Sequence, residues 1–167
     1  SLLDRVPTPD ELLLWRVAYP RAYRPLIEEA ERTAAVPDYF LQALVREESA
    51  FDPGAVSWAG AYGLTQLLPS TARSIGAQLH PRVPVSQPEA LLDPATSIRL
   101  GGALLGDELR RYRGFLPLAL AAYNAGGPAA ARWWRAMQGE PADEFTEEIN
   151  IAETRAYVKR VLRTYAV

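Results

Sequence analysis

The stretch Ala43-Leu44-Val45-Arg46-Glu47-Glu48-Ser49-Ala50-Phe51-Asp52-Pro53 reads as the end of a helix that carries a carboxylic acid into a cleft. Leu41, Leu44, Val45 and Glu48 fall at i, i+3, i+4 and i+7, which at roughly 100° per residue is one helix face. Glu48 therefore interrupts an otherwise apolar stripe, while Glu47 lies about 100° round the helix, on the flank with Phe40 and Ala43. The residue before Pro53 is biased away from the helical region, so the helix is expected to stop close to it. A carboxyl group lined by apolar side chains is disfavoured in its charged form, and its pKa rises. A general acid is prepared for work near neutral pH in this way. The same spacing also fits a glutamate that is merely solvated at a helix flank, and the stripe by itself leaves both readings open.

Upstream, Pro7-Thr8-Pro9-Asp10 reads as a turn into a short helix, 11–17, followed by a break around Tyr19-Pro20. Pro25 suits the first turn of a helix reaching Ala34, with Leu26, Ile27 and Ala30 as its apolar face. Pro37 and Asp38 are expected to open the helix that ends in Glu48. Downstream, Ser57 to Ala72 mixes two glycines with polar and aromatic residues, a composition that lets backbone approach a neighbour or ligand closely. Pro69 starts a helix through Ile75, and the Pro-rich segment 80–88 reads as a loop. Asp93-Pro94 supplies an N-cap and a first-turn proline for a helix with Ile98, Gly101, Gly102, Leu105, Leu109 and Tyr112 on one face. The two glycines there imply tight helix–helix contact, and Gly114 ends the element. The wholly apolar helix 116–123 is expected to be buried, and Asn124-Ala125-Gly126-Gly127-Pro128 to turn. A helix over 129–137, bearing Trp133 and Trp134, should close at Gly139, and 141–148 reads as an acidic connection. Asn150 with Glu153 three residues on resembles a capping box for a last helix whose stripe is Thr154, Tyr157, Val158, Val161, Leu162 and Tyr165. No strand-like alternation and no internal repeat is present, so the fold class is all-α in a single domain.

Composition narrows the function. The chain has 167 residues, 49% of them hydrophobic, and a formal net charge of −2, which fits one globular core and gives no basic excess for nucleic acid. It contains no cysteine and a single histidine, His80, which excludes thiolate and multi-histidine metal sites. No metal and no cofactor is expected. No run of 18 apolar residues exists to span a membrane. The chain opens on Ser1, and is read as a mature or trimmed piece of a longer precursor.

Four separated motifs, in order, resemble the catalytic domain of the soluble lytic transglycosylases of bacterial cell walls, a lysozyme-like family related in fold to goose-type lysozyme. They are Glu48-Ser49-Ala50-Phe51-Asp52-Pro53; Ser57 with Gly60-Ala61-Tyr62-Gly63-Leu64-Thr65-Gln66-Leu67-Leu68-Pro69; Ala121-Ala122-Tyr123-Asn124-Ala125-Gly126; and Glu153-Thr154-Arg155-Ala156-Tyr157-Val158. The resemblance runs from Tyr19-Pro20 to the end. It implies a lysozyme-like single domain with a substrate groove; the residues are read as an N-terminal helical leg, 1–36, followed by the catalytic domain, 37–167, in one compact unit. It implies Glu48 as the single catalytic acid/base and Ser57, Gln66 and Leu68 as groove residues. It implies that Tyr123 points its hydroxyl at the catalytic carboxyl, and that Asn124, Glu153 and Tyr157 hold the groove floor. The residues themselves leave other readings open: Tyr123 and Tyr157 as core aromatics, Glu153 as the partner of Asn150, Gln66 as a polar helix-end residue.

The sequence departs from the family's usual pattern at Thr65 and Leu68, where methionine is common, at Leu104, usually tyrosine, at Ser97, near which asparagine is usual, and at Asn150-Ile151, often Pro-Phe. Thr65 is expected to alter the groove wall. The resemblance further implies cleavage of the β-1,4 bond between N-acetylmuramic acid and N-acetylglucosamine in peptidoglycan, with formation of 1,6-anhydromuramic acid, in the periplasm or cell envelope. Goose-lysozyme-like hydrolysis and a non-catalytic peptidoglycan-binding module are the alternatives. On oligomeric state the sequence is silent, and a monomer is the default expectation.

Overall fold

The structure is a computed structural model, which describes residues 22–136 and 142–166, with the side chains of 142–144 left out. The expected helix 11–17 and the break at Tyr19-Pro20 lie outside the described residues, as does Gly139. The described helices are α1 (Arg24–Ala34), α2 (Phe40–Ser49), α3 (Pro69–Gln78), α4 (Pro94–Arg111), α5 (Leu116–Ala125), α6 (Gly127–Ala136), α7 (Ala142–Glu148) and α8 (Ala152–Tyr165), with a 3-10 turn over Pro88–Leu92. Among these residues there is no strand; two isolated bridges, Val56 with Tyr62 and Tyr62 with Leu67, fold the segment between α2 and α3 on itself. The fold is all-α.

The apolar helix α5 is the hub. Pro117 through Ala122 are buried on it, and α4, α6 and α8 pack around it, while α2 lies against α8 and α1 against α4. α1 comes close to α4 because the facing residues are small: a Cβ on Gly102 would sit 3.0 Å from Ala30 Cβ, and one on Gly106 would sit 2.4 Å from the Ala34 carbonyl oxygen. The glycines of α4 therefore do seat a neighbouring helix, although Gly101 meets the loop residue Thr65 instead. Leu41, Leu44 and Val45 are fully buried in the main core with Ile27, Phe40, Leu120 and Val158. A smaller core of Leu67, Ala72, Val85, Leu91 and Leu100 lies under the α3 side.

Several boundaries differ from the sequence reading. Pro37 and Asp38 do not open α2. The helix begins at Phe40, after Tyr39 in a left-handed conformation (φ 66°). The start is capped from another element: buried Glu31 on α1 accepts the Leu41 N–H at 3.1 Å through Oε1, while Arg24 holds Oε2 at 3.1 Å and lies over the Tyr39 ring at 4.0 Å. At the other end the chain leaves the helix at Ala50 and Phe51, both left-handed (φ 51° and 65°), before Asp52-Pro53 is reached. Only Gly126 separates α5 from α6, so the turn expected over 124–128 is shorter than its composition suggests. The acidic stretch before Ile149 is not a plain connection. It forms α7, because Phe145 is buried against Phe115 (centroids 5.2 Å apart, edge to face) and Ile149 is buried too. The capping box also fails: Ile151 is the N-cap of α8 with no side-chain cap bond, and Asn150 Oδ1 accepts from Trp133 Nε1 at 3.1 Å.

Glu31 thus satisfies an orphan helix donor and the partly buried Arg24 cation together. Glu31→Ala is expected to cost about 2 kcal/mol of stability, the range for losing a charged, buried hydrogen-bond partner, read as a lower melting midpoint. Glu31→Gln, which keeps an acceptor, should recover part of it. A loss under about 0.5 kcal/mol, typical of surface changes, would show that α2 is not held by this contact.

Candidate active site

Four segments converge on one groove of about 560 Å³: the last turn of α2 with Glu48, the folded segment with Ser57, Trp58, Ala61, Gln66 and Leu68, the end of α5 with Tyr123 and Asn124, and the start of α8 with Glu153. Its size suits a ligand of a few rings. A second, open depression of about 630 Å³ shares Glu48, Ser57 and Gln66 with the groove and adds Glu47 and Asp52.

The two adjacent glutamates have opposite environments. Glu47 is compensated: Thr164 Oγ1 donates to its Oε1 at 2.6 Å, and Arg160 Nε lies 3.5 Å from Oε2. Burial pushes the Glu48 carboxyl up from 4.5 to about 7, against the lowering influence of the Tyr157 hydroxyl and of the Arg160 charge, with Glu47 adding a small rise. Desolvation is the controlling cause, as for other carboxyls lifted into the neutral range. The Tyr157 hydroxyl is buried and makes no hydrogen bond of normal geometry, so it acts on Glu48 as a nearby donor dipole rather than through a closed bond.

Tyr123 is arranged differently from the expectation. Its hydroxyl donates to the Thr65 carbonyl at 2.8 Å. It is still close enough for burial and the Glu48 charge to hold its own pKa well above the ordinary phenol range. Of the two tyrosines, Tyr157 is the one whose hydroxyl bears on the Glu48 carboxyl.

The segment that faces Glu48 is held rigidly. Ser49 Oγ lies 3.1 Å from the Val45 carbonyl and 3.0 Å from that of Leu64, so it ties the last turn of α2 to the segment. Gln66 adopts a left-handed conformation (φ 47°), strained for a residue with a side chain. Its amide nitrogen is fixed between the carbonyls of Ala55 at 3.1 Å and Gly63 at 2.8 Å. Two acceptors determine which way the amide points, so Oε1 is left as a hydrogen-bond acceptor. Gly63 (φ +75°) is obligatory: a Cβ there would lie 1.9 Å from the Leu91 carbonyl oxygen. Ser57 Oγ accepts the Ala61 N–H at 3.0 Å, which leaves its own proton to donate. Asn124 Oδ1 accepts from Thr154 Oγ1 at 2.8 Å, so α5 and α8 are joined beside the groove that Asn124 lines.

A family model described as the transglycosylase SLT domain matches residues 25–146. The chain belongs to the SLT transglycosylase family. The soluble lytic murein transglycosylase of Escherichia coli K12 is 35% identical over 146 residues, covering 86% of this chain and 22% of that protein. The 70 kDa soluble lytic transglycosylase structure from E. coli superposes with a TM-score of 0.84 at 34% identity, over 92% of this chain and 25% of that one. An inactive mutant of lytic transglycosylase Slt from Pseudomonas aeruginosa gives 0.83 at 34%, over 91% and 24%. The lysozyme-like SLT fold is therefore that of this chain, which spans about a quarter of the length of these relatives.

Placement of the departures from the SLT pattern corrects one expectation. Thr65 is not in the groove wall. It is fully buried and turned toward α4, its Oγ1 donating to the Ser97 carbonyl at 2.9 Å and lying 3.0 Å from Ser97 Oγ, which also accepts the Thr65 N–H at 3.2 Å. Two departures, at 65 and 97, thus meet in one polar contact beneath Tyr123. Gly101 makes room for it, since a Cβ there would approach Thr65 to 2.5 Å. Leu68 and Leu104, by contrast, do line the groove. Sequence reading also missed Glu108, which lines the groove as a second buried carboxyl and is held by Arg111 Nη1 at 3.2 Å. Its i,i+3 spacing to Arg111 reads as a surface pair, yet the fold leaves it 5% exposed.

A pKa of about 7 against an ordinary 4.5 for Glu48 means that the folded state binds this proton more tightly than the unfolded chain. Stability contributed by the proton is present below 4.5 and is lost as pH rises through 7. Glu48→Gln removes that penalty. The variant is expected to be more stable than the parent at pH 8 by up to about 3 kcal/mol, since each unit is worth about 1.4 kcal/mol, with the difference shrinking below pH 5. Denaturant midpoints at the two pH values measure this. A difference that does not vary with pH would mean that Glu48 is not desolvated.

Proposed function

We propose that this chain is the catalytic domain of a peptidoglycan lytic transglycosylase, which cleaves the β-1,4 bond between N-acetylmuramic acid and N-acetylglucosamine in the periplasm or cell envelope. The observation that carries the reading is Glu48, a groove carboxyl with no closed ion pair, lifted to about 7 by burial, in a chain of the SLT family.

The reaction uses this one group twice. Protonated Glu48 gives its proton to the glycosidic oxygen as the bond to C1 of the muramyl sugar breaks and its electron pair passes to that oxygen. The muramyl 2-acetamido group stabilises the developing positive charge at C1. The muramyl C6 hydroxyl then attacks C1, and its proton passes to the Glu48 carboxylate, which restores the acid. No water is consumed. A nucleophile within the same sugar gains from proximity, so no second protein base is required. The other groove residues take supporting roles. Ser57 offers a hydroxyl donor and Gln66 an acceptor Oε1. Asn124 and Glu153 face the strand from the floor, and Leu68 supplies apolar contact. Tyr123 and Tyr157 keep water from the carboxyl. Glu108 and Glu153 do share the groove, so the number of carboxylates does not by itself separate this chemistry from hydrolysis. The product does.

Digested sacculi are expected to yield muropeptides ending in 1,6-anhydromuramic acid, lighter than the hydrolytic product by one water (about 18 Da) and inert to borohydride. Reducible ends that carry oxygen-18 from labelled water would make the enzyme a hydrolase. Binding without any release of muropeptides would make it a binding module. Glu48→Gln should lower turnover at least ~10²–10⁴-fold, whereas Glu47→Gln, whose carboxyl is already committed to Arg160 and Thr164, should do far less. Equal losses would mean that the acid is misassigned.

A further inference from the structure

Trp58 stands on the rim of the groove that holds Glu48, and it is 97% exposed. No other described large hydrophobic residue approaches that value; the next is Val56 at 53%. A tryptophan so placed contributes nothing to the core, although burial of its ring is the main contribution such a residue makes to stability. It is nevertheless held in a defined position. The turn that presents it is closed by Ser57 N–H to the Ala61 carbonyl at 2.9 Å and Gly60 N–H to the Ser57 carbonyl at 3.0 Å, and by Ala61 N–H to Ser57 Oγ at 3.0 Å. Gly60 is left-handed (φ +75°) with open space around it. Ser57 is thus bonded at three atoms, and Trp58 follows it directly.

Two aromatic residues line the groove, Trp58 and Tyr123. Tyr123 packs against both cores and its hydroxyl is committed to Thr65. Trp58 is therefore the lining aromatic with a free ring face. Pyranose rings of 2-acetamido sugars carry a patch of axial C–H groups on one face, slightly positive against the negative face of an indole. A polymer that threads the groove past Glu48 brings such rings to its rim.

We propose that Trp58 is a sugar-stacking platform, a specificity-determining residue that binds an N-acetylhexosamine ring of the glycan strand beyond the bond that is cleaved. The proposal rests on the reading of the groove as a glycan site and extends it to a contact outside the catalytic centre. Because the contact is made to a ring remote from C1, it strengthens binding of substrate and transition state alike, and its loss appears in KM.

The test uses soluble, peptide-stripped glycan strands. Trp58→Ala is expected to raise KM about tenfold, the factor that about 1.4 kcal/mol of lost contact corresponds to, with kcat within about twofold and the melting midpoint unchanged. Trp58→Tyr should restore most of the affinity, and Trp58→Leu, apolar but without a flat π face, should not. An unchanged KM for Trp58→Ala overturns the proposal. So does equal rescue by leucine, or a shift in oligomeric state by light scattering, which would make Trp58 a contact between copies of the chain. Co-sedimentation with sacculi, run in the Glu48→Gln background, separates the two levels of inference. Sacculi that bind without being cleaved by the wild type overturn the proposed activity alone. Undiminished sedimentation of the Trp58→Ala, Glu48→Gln double variant overturns the stacking site alone.

Discussion

Withdrawal of the Glu48 carboxyl from water is the constraint on which the rest of the site depends. An ionised carboxylate in that position would need a cation or several hydrogen bonds. The structure gives the nearby cation to its neighbour: Arg160 approaches Glu47 at 3.5 Å, and its charge reaches Glu48 only as a secondary influence. Burial, uncompensated by a tight partner, therefore lifts the pKa of the acid to about 7. Desolvation makes a proton donor of it near pH 7. The cost is a local destabilisation of about 3 kcal/mol once the group ionises, which the buried helices around it must carry.

Those helices are arranged to keep the carboxyl where it is. The α2 stripe of Leu41, Leu44 and Val45 goes into the core and fixes the rotation of the helix, and with it the direction of Glu48. Ser49 ties the last turn to the Leu64 carbonyl, and the left-handed pair Ala50 and Phe51 turns the chain out of the helix. Tyr123 is braced by the Thr65 carbonyl, and Thr65 in turn by Ser97. A change on α4 can therefore reach the groove without touching substrate, through one chain of hydrogen bonds.

What was legible in the sequence follows from range. The helical period put Leu41, Leu44, Val45 and Glu48 on one face and Glu47 off it, and the structure keeps that division. Asp93 was legible as an N-cap because its bond to the Thr96 N–H, 2.8 Å, spans three residues. The failures involve partners distant in sequence. Asn150 had a local partner in Glu153 but bonds Trp133 instead. The acidic stretch before Ile149 became α7 because Phe145 found Phe115. The cap of α2 comes from Glu31, ten residues away. Family resemblance indicated that Thr65 departs from the pattern, but only the fold could pair it with Ser97 and turn it from the groove. In the same way, the resemblance implied that Tyr123 faces the acid, whereas packing of α8 against α5 and α2 brings the Tyr157 hydroxyl to it and the Tyr123 hydroxyl goes to Thr65.

The most direct test of the account is the protonation state of Glu48 itself. Carboxyl carbons labelled with carbon-13 can be followed by NMR from pH 4 to 9, with the Glu48 signal assigned by its disappearance in Glu48→Gln. The account predicts a midpoint near the value of about 7 set by burial, well separated from the exposed carboxylates. A midpoint close to 4.5, among the ordinary glutamates, would contradict it, because a carboxylate already ionised at neutral pH has no proton to give to the glycosidic oxygen.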